Sequence, residues 1–133
     1  MASNLPFGAV EFAANPEPRC PCVLALDVSA SMAGTRLQEL QRGLQQFRDE
    51  LSGDPLARKR VELAIVTFGG SCRLACDFTA VEHFEPPRLQ ADGLTPMGAA
   101  VQMALDLVKA RKQVYRDNGV AYYRPWIFLL TDG

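Results

Sequence analysis

Two apolar runs that each lead into an aspartate constrain the fold of this sequence more than any other feature. The first extends from Cys22 to Asp27; the second begins at Trp126, and one threonine separates its last leucine from Asp132. Strands that are apolar at every position, rather than at alternate positions, are typical of a parallel sheet that is covered on both faces. The sequence therefore predicts an α/β fold with both acids at the carboxyl ends of strands.

The segment between these runs predicts helices and one hairpin. Apolar residues recur at steps of three and four from Leu37 to Leu51, as in an amphipathic helix. Asp54-Pro55 is expected to cap a short further turn, because aspartate accepts backbone N–H groups and proline presets φ. A strand from Val61 to Phe68 then turns at Gly69-Gly70 into an antiparallel edge strand, since so short a link permits no crossover.

A last helix completes the pattern of a doubly wound, mostly parallel, Rossmann-like sheet. Its apolar positions extend from Met97 to Val108, and Thr95-Pro96 is expected to form its N-cap and first turn. Right-handed crossovers place the second strand on one side of the first and the last strand on the other. The strand order therefore reverses beside Asp27, which is the usual position of a ligand crevice.

The beginning of the chain differs from the rest. Pro6, Pro16 and Pro18 are spaced so that neither a helix nor a central strand fits easily. We therefore expect an N-terminal arm over residues 1–19 and a single domain over residues 20–133.

Composition narrows the choice of partners. The chain is 48% hydrophobic and 22% charged with a net charge of −1, so a globular core is expected and no broad basic surface for nucleic acid or a membrane. The first residues lack the basic segment and apolar stretch of an export signal, which predicts a cytoplasmic location. In that compartment the four cysteines are expected to be reduced thiols. Composition does not predict an oligomeric state.

Oxygen-bearing side chains are concentrated where the strand order reverses. Asp27, Ser29 and Ser31 lie within five residues directly after the first strand. The last strand is expected to bring Asp132 to the same edge of the sheet, and the turn at Thr95 faces the same crevice. Two carboxylates at one edge repel each other, and a small divalent cation would relieve that repulsion and accept the hydroxyls as neutral ligands. Mg²⁺ suits such an oxygen-only set.

The pattern resembles the metal-ion-dependent adhesion site of von Willebrand factor type A domains. Four segments carry the resemblance: Asp27-Val-Ser-Ala-Ser-Met, Val66-Thr-Phe-Gly-Gly, Gly93-Leu-Thr-Pro-Met-Gly and Trp126-Ile-Phe-Leu-Leu-Thr-Asp-Gly. The setting is similar to the compact, intracellular bacterial branch found with tellurium-resistance and stress-response proteins. The resemblance implies metal ligation by Ser29, Ser31 and Thr95, with the two acids acting directly or through water.

The resemblance also implies a non-enzymatic function, in which an Asp or Glu of a partner protein completes the coordination of the metal. Mg²⁺ is the expected ion, with Mn²⁺ and Ca²⁺ as alternatives. One departure is that the chain ends at Gly133, whereas members of the family continue through at least one more helix and strand. The domain is therefore expected to be incomplete at its C-terminus, with the last strand on an open sheet edge.

Three other interpretations stay open. The first is a Mg²⁺-dependent phosphoryl-transfer hydrolase, although Ser29 stands where such enzymes need a second acid. A scaffold that binds its partner without metal is the second. The third is a zinc site formed by Cys20, Cys22, Cys72 and Cys76, whose spacing is not that of a zinc finger.

Overall fold

A four-stranded sheet forms the centre of the computed structural model, which describes residues 12, 14–91, 93 and 97–131. Its strands are β1 (Cys20–Asp27), β2 (Val61–Gly69), β3 (Ser71–Ala80) and β4 (Trp126–Leu130), and their spatial order is β3-β2-β1-β4. β1 is parallel to both β2 and β4, whereas β3 is antiparallel to β2. The prediction of a mostly parallel sheet with an antiparallel edge strand is confirmed, as is the reversal of strand order at β1.

Helices cover both faces of this sheet. They are α1 (Thr35–Gly53), α2 (Pro55–Arg60) and α3 (Met97–Asp117), with short 3₁₀ turns at Ala30–Met32 and Val81–His83. Asp54 caps α2 as predicted, because its Oδ1 accepts the backbone N–H groups of Leu56 at 2.9 Å and Ala57 at 3.1 Å. The predicted cap of α3 at Thr95-Pro96 lies outside the described residues.

Alternate residues of the central strands pack into two apolar clusters. Leu24 and Leu26 of β1 point toward α1 and its buried Leu44, while Val23 and Ala25 point toward α3. On that second face α3 contributes Ala100 and Ala104 among its buried residues, and such small side chains let a helix approach a sheet closely. β1 is therefore buried on both faces, as its continuous apolar run predicted.

The last strand departs from that pattern. β4 lies at an edge of the described sheet, and its side chains are half-exposed, with Trp126 at 57% and Phe128 at 41% of their full exposure. The two rings stack with their centroids 6.0 Å apart. The apolar sequence thus indicated the strand correctly, and its edge position agrees with the expectation, but its faces are less covered than those of β1, because burial depends on what packs against a strand and not on the strand alone.

The amino ends of the strands are held by a buried ionic network that the sequence did not indicate. Glu62, 1% exposed, accepts a bidentate pair of hydrogen bonds from Arg111 of α3, each 2.9 Å long. Arg19 lies 3.6 Å from the same carboxylate, and the Tyr115 hydroxyl donates to it as well. This network connects the segment before β1, the start of β2 and the end of α3.

The N-terminal segment contributes to the same end of the sheet. Phe12 is buried beneath the Arg19 and Arg111 guanidinium groups and contacts the Tyr115 ring. Phe12 and Ala14 have helical backbone, which the proline spacing did not predict. Across the described residues, no helix combines the length and apolar character required to cross a membrane.

The four cysteines are free thiols, as expected, but they do not converge. Cys20, Cys22 and Cys76 belong to the apolar cluster on the α1 face, whereas Cys72 packs on the α3 face, where its thiol lies 3.8 Å from the sulfur of Met103. Because the sheet separates the two groups, the four-sulfur zinc interpretation is wrong.

Candidate functional site

The candidate site lies where β1 ends and the chain breaks toward α1. The Asp27 side chain is 6% exposed, and the next residue, Val28, still donates its backbone N–H to the Phe68 carbonyl of β2 at 3.0 Å. The 3₁₀ turn at Ala30–Met32 then redirects the chain, and Gly34 adopts a φ of +87° just before α1 begins. Asp27 is therefore fixed by the rigid sheet, while Ser29 and Ser31 lie on the loop directly above it.

Both oxygens of the Asp27 carboxylate accept hydrogen bonds within the site. Oδ1 accepts the backbone N–H of Ser29 at 2.9 Å, and Oδ2 accepts the hydroxyl of Thr131 at 2.6 Å. An ionised carboxylate has about four acceptor sites, so these contacts do not use up its capacity to bind a ligand or a water molecule. The carboxylate is thus oriented by the protein and still able to bind.

These contacts also set the charge of the site. Burial by itself raises the pKa of the Asp27 carboxyl, but hydrogen bonds donated by Ser29 and Thr131 outweigh that effect, and the pKa lies below its ordinary value. Asp27 is consequently ionised at neutral pH. A buried, ionised carboxylate at the end of a parallel strand attracts a cation.

The two serine hydroxyls converge beside this carboxylate. The Oγ atoms of Ser29 and Ser31 are 3.1 Å apart, with Ser29 buried and Ser31 exposed. Adjacent ligands in an octahedral shell with Mg–O distances of 2.0–2.1 Å are separated by about 2.9 Å, so the serine spacing suits two neighbouring positions around Mg²⁺. The exposure of Ser31 leaves the site open to solvent on one side.

A glycine holds a third loop against the site. The Gly93 carbonyl accepts the backbone N–H of Ala30 at 3.1 Å, which connects the loop before α3 to the loop after β1. Gly93 has a φ of +44°, and a Cβ atom there would lie 2.6 Å from the Cα of Gly70 in the β2–β3 turn. Only glycine fits this crossing, so three loops from distant parts of the sequence meet at the carboxyl edge of the sheet.

The structure brings together three of the five predicted metal ligands. Asp27, Ser29 and Ser31 share the site, whereas Thr95 and Asp132 lie outside the described residues. Their neighbours in sequence do reach it, since Gly93 contacts Ala30 and Thr131 binds Asp27.

Thr131 is a site residue that sequence reasoning missed. The register of β1 and β4, which pairs Leu26 with Leu130, carries Thr131 opposite Asp27. Its position in the sequence, directly before Asp132, was the available signal. That signal has meaning only once the two strands are known to be neighbours.

The donor set favours a hard cation. It consists of one carboxylate and two hydroxyls, all of them oxygen, with no sulfur or imidazole among the residues described above. Within the described part of the chain, no group of three or more His, Cys, Asp or Glu side chains is arranged to hold a metal. Hydroxyl ligands and water must therefore supply most of any coordination shell here, which suits Mg²⁺ better than a soft ion.

Comparison with known proteins identifies the fold independently. A family model described as "von Willebrand factor type A domain" matches residues 22–133. No curated protein matches the chain.

Among solved structures, the von Willebrand factor domain of the type V pili tip protein Mfa5 from Porphyromonas gingivalis is similar, with a TM-score of 0.66 and 20% identity over 88% of this chain and 38% of that one. A longer Mfa5 structure with three N-terminal domains gives a TM-score of 0.65 and 19% identity over 87% of this chain and 20% of that one.

An uncharacterised protein from Alicyclobacillus acidocaldarius is also similar, with a TM-score of 0.57 and 22% identity over 84% of this chain and 52% of that one. The chain thus spans between 20% and 52% of the length of these solved relatives. At these identities the likeness concerns the fold.

Proposed function

The chain belongs to the von Willebrand factor type A domain family, and from this premise we propose that it is a protein-binding module that depends on a divalent metal, with Mg²⁺ as the preferred ion. Asp27, Ser29 and Ser31 would hold the cation together with Thr95 and Asp132. The observation that carries the proposal is the convergence of the Asp27 carboxylate with two hydroxyls that are 3.1 Å apart.

Each described residue has a distinct part in this site. Asp27 supplies the negative charge, and the hydrogen bond from Thr131 fixes the direction of its free lone pairs. Ser29 and Ser31 offer neutral oxygens, so the net charge of the site stays low and the cation keeps its affinity for a further anion. When bound, the cation supplies a coordination position that accepts a carboxylate from the partner protein.

The preference for binding over catalysis rests on what surrounds Asp27. A phosphoryl-transfer hydrolase needs an acid that exchanges a proton beside the strand-end aspartate. In the described part of the site that neighbouring position is Ser29, whose hydroxyl is hydrogen-bonded to Ser31 and cannot act as an acid or base at neutral pH. The only histidine, His83, is exposed and lies 3.7 Å from Glu82, outside the site.

Calorimetric titration with MgCl₂ tests the proposal. The wild-type chain should bind one Mg²⁺. Asp27→Ala should abolish the heat of binding, because it removes the one carboxylate among the described residues of the site. Asp106→Asn is the matched control: it removes an acid from the exposed surface of α3, where the Asp106 carboxylate accepts a hydrogen bond from Gln102, and it should bind Mg²⁺ like the wild type. Unchanged Mg²⁺ binding by Asp27→Ala would contradict the proposal.

Removal of the metal with a chelator distinguishes the metal-dependent binding module from a scaffold that binds its partner without metal. A partner captured from the source cell should be released by EDTA and recaptured when excess Mg²⁺ is restored. Retention of the partner in EDTA would favour the scaffold, and magnesium-dependent phosphatase turnover lost in Asp27→Asn would favour the hydrolase.

The cellular setting is a separate part of the proposal. The motifs quoted above support a cytoplasmic bacterial protein of a tellurium-resistance or stress-response system, whereas one similar solved structure is a pili tip protein. Fractionation of the source cell distinguishes the two settings, since the first requires the protein in the cytoplasm and the second at the cell surface.

A further inference from the structure

We infer that the partner presents two acidic side chains, one to the metal and a second to a cationic cavity beside it. The inference rests on the proposed function and specifies the chemistry of its partner. The cationic cavity has a volume of about 450 Å³, and the residues that matter to the argument are Val28, Thr67, Ser71, Arg73, Arg88 and Gln90.

The cavity adjoins the loop that carries the proposed metal ligands. Val28, which lines it, stands between Asp27 and Ser29 in the sequence. Residues 87–91 also line the cavity and are followed closely in the sequence by Gly93, whose carbonyl accepts the backbone N–H of Ala30. A ligand in the cavity would therefore contact the same loops that hold the proposed metal ligands.

Two arginines give the cavity its charge. Arg73 and Arg88 both line it, both are exposed, and neither forms an ion pair with any other residue that the structure describes. Every described residue of the lining is neutral or basic. Two arginines that share one cavity and have no acidic partner among the described residues favour an anion as its ligand.

The uncharged lining residues fit the same ligand. The hydroxyls of Thr67 and Ser71 and the side-chain amide of Gln90 can all donate hydrogen bonds. A carboxylate accepts several hydrogen bonds, and arginine binds it in a bidentate manner. The cavity thus combines charge and donors as an acidic side chain requires.

The sheet fixes how far apart the two acids should be. Asp27 is on β1, and Arg73 is on β3, where it pairs with Thr67 of the intervening strand β2. Two strand spacings amount to roughly 10 Å. An extended peptide advances 3.3–3.6 Å per residue, so the two acids of the partner should be about three residues apart.

Fluorescence anisotropy with two labelled synthetic peptides tests the inference on the full chain in saturating Mg²⁺. Both peptides have a glycine-serine background; one carries two glutamates three residues apart, and the other has glutamine in place of the second glutamate. The two-glutamate peptide should bind about 5- to 10-fold more tightly, because exposed arginine–carboxylate pairs contribute a few-fold each. That advantage should shrink in 0.5 M NaCl as the charges are screened.

Substitution of the two arginines tests whether the tighter binding of the two-glutamate peptide depends on the cavity. The double variant Arg73→Gln and Arg88→Gln should bind both peptides equally, at the wild-type affinity for the one-glutamate peptide. Arg58→Gln is the matched control, since it removes an exposed arginine on α2 that does not line the cavity. Arg58→Gln should retain the wild-type preference for the two-glutamate peptide.

The outcomes separate this inference from the proposed function. Equal binding of the two peptides by the wild type, an equal weakening of both by the double variant, or no binding of the two-glutamate peptide would overturn the inference, whatever the Mg²⁺ titration shows. An arginine-dependent advantage that survives EDTA and Asp27→Ala would uphold the cavity and refute the metal-dependent function.

Discussion

Replacement of Gly93 by alanine tests whether the meeting of three loops holds the site together. Gly93 has a φ of +44°, and its new Cβ would lie 2.6 Å from the Gly70 Cα, a backbone atom that cannot rotate away. Ordinary carbon–carbon contacts are about 3.5–4.0 Å. One of the two loops must therefore move by about 1 Å.

The expected loss of stability in Gly93→Ala has two separate contributions. A non-glycine residue in the left-handed region costs about 1–2 kcal/mol, and overpacking typically costs about 1–3 kcal/mol more. Gly93→Ala should therefore lower the free energy of unfolding by about 2–5 kcal/mol. If the loop moves away to relieve the clash, the hydrogen bond from Ala30 is lost, at a net cost of about 0.5–1.5 kcal/mol.

Gly119→Ala is the matched control for this prediction. Gly119 also has a positive φ, +66°, but a Cβ there meets nothing within 4 Å. It should show only the conformational cost of about 1–2 kcal/mol. The difference between the two variants in urea denaturation therefore measures the steric part alone.

The same variants connect the loop to the proposed function. Gly93→Ala should weaken Mg²⁺ binding about tenfold, as is typical when a residue that supports metal ligands is changed, while Gly119→Ala should bind normally. If Gly93→Ala matches Gly119→Ala in both stability and Mg²⁺ affinity, the reasoning about the loop crossing is refuted.

Two further predictions concern the stability and reactivity of the core. Glu62→Gln should cost about 3–5 kcal/mol, because it leaves the guanidinium groups of Arg19 and Arg111 without their carboxylate, and differential scanning calorimetry should show a melting point roughly 10–20 °C lower. Glu82→Gln, at an exposed pair with His83, should change stability by less than about 0.5 kcal/mol, and a loss below about 1 kcal/mol for Glu62→Gln would contradict the network's role. Burial and the neighbouring Cys20 thiol raise the pKa of Cys22 to about 12, so iodoacetamide at pH 8 should modify Cys22 only after unfolding, as followed by peptide mass spectrometry. Since the unfolded thiol loses its proton near pH 8.5, stability should fall as pH rises from about 9 to 12, and rapid alkylation of native Cys22 would refute this assignment.

Local features of the sequence were sufficient for most of the fold. The period of the apolar residues in α1, the aspartate cap of α2 and the two-glycine turn before β3 each act within a few residues, so the sequence predicts them directly. The convergence of Asp27, Ser29 and Ser31 is of the same kind, because a single turn after a strand brings alternate side chains together. The roles of these three residues as metal ligands stay a prediction.

Features that join distant segments could not be predicted in the same way. The hydrogen bond from Thr131 to Asp27 spans 104 residues, and that from Arg111 to Glu62 spans 49. Neither residue pair has a local pattern, since arginine, threonine and glutamate are all mostly found on solvated surfaces. Only the register of the strands and the position of α3 decide that these groups meet.

By itself, the sequence determined which segments are strands and helices, the order in which they alternate and the place of the acidic loop at the end of β1. Tertiary structure alone decided that β4 is half-exposed, that Gly93 crosses Gly70, and that Arg73 and Arg88 share a cavity beside Asp27. The physical reason is that hydrophobic periodicity and capping are short-range properties of the chain. Burial, close backbone contacts and the placement of two charged side chains in one cavity depend on which segments become neighbours after folding.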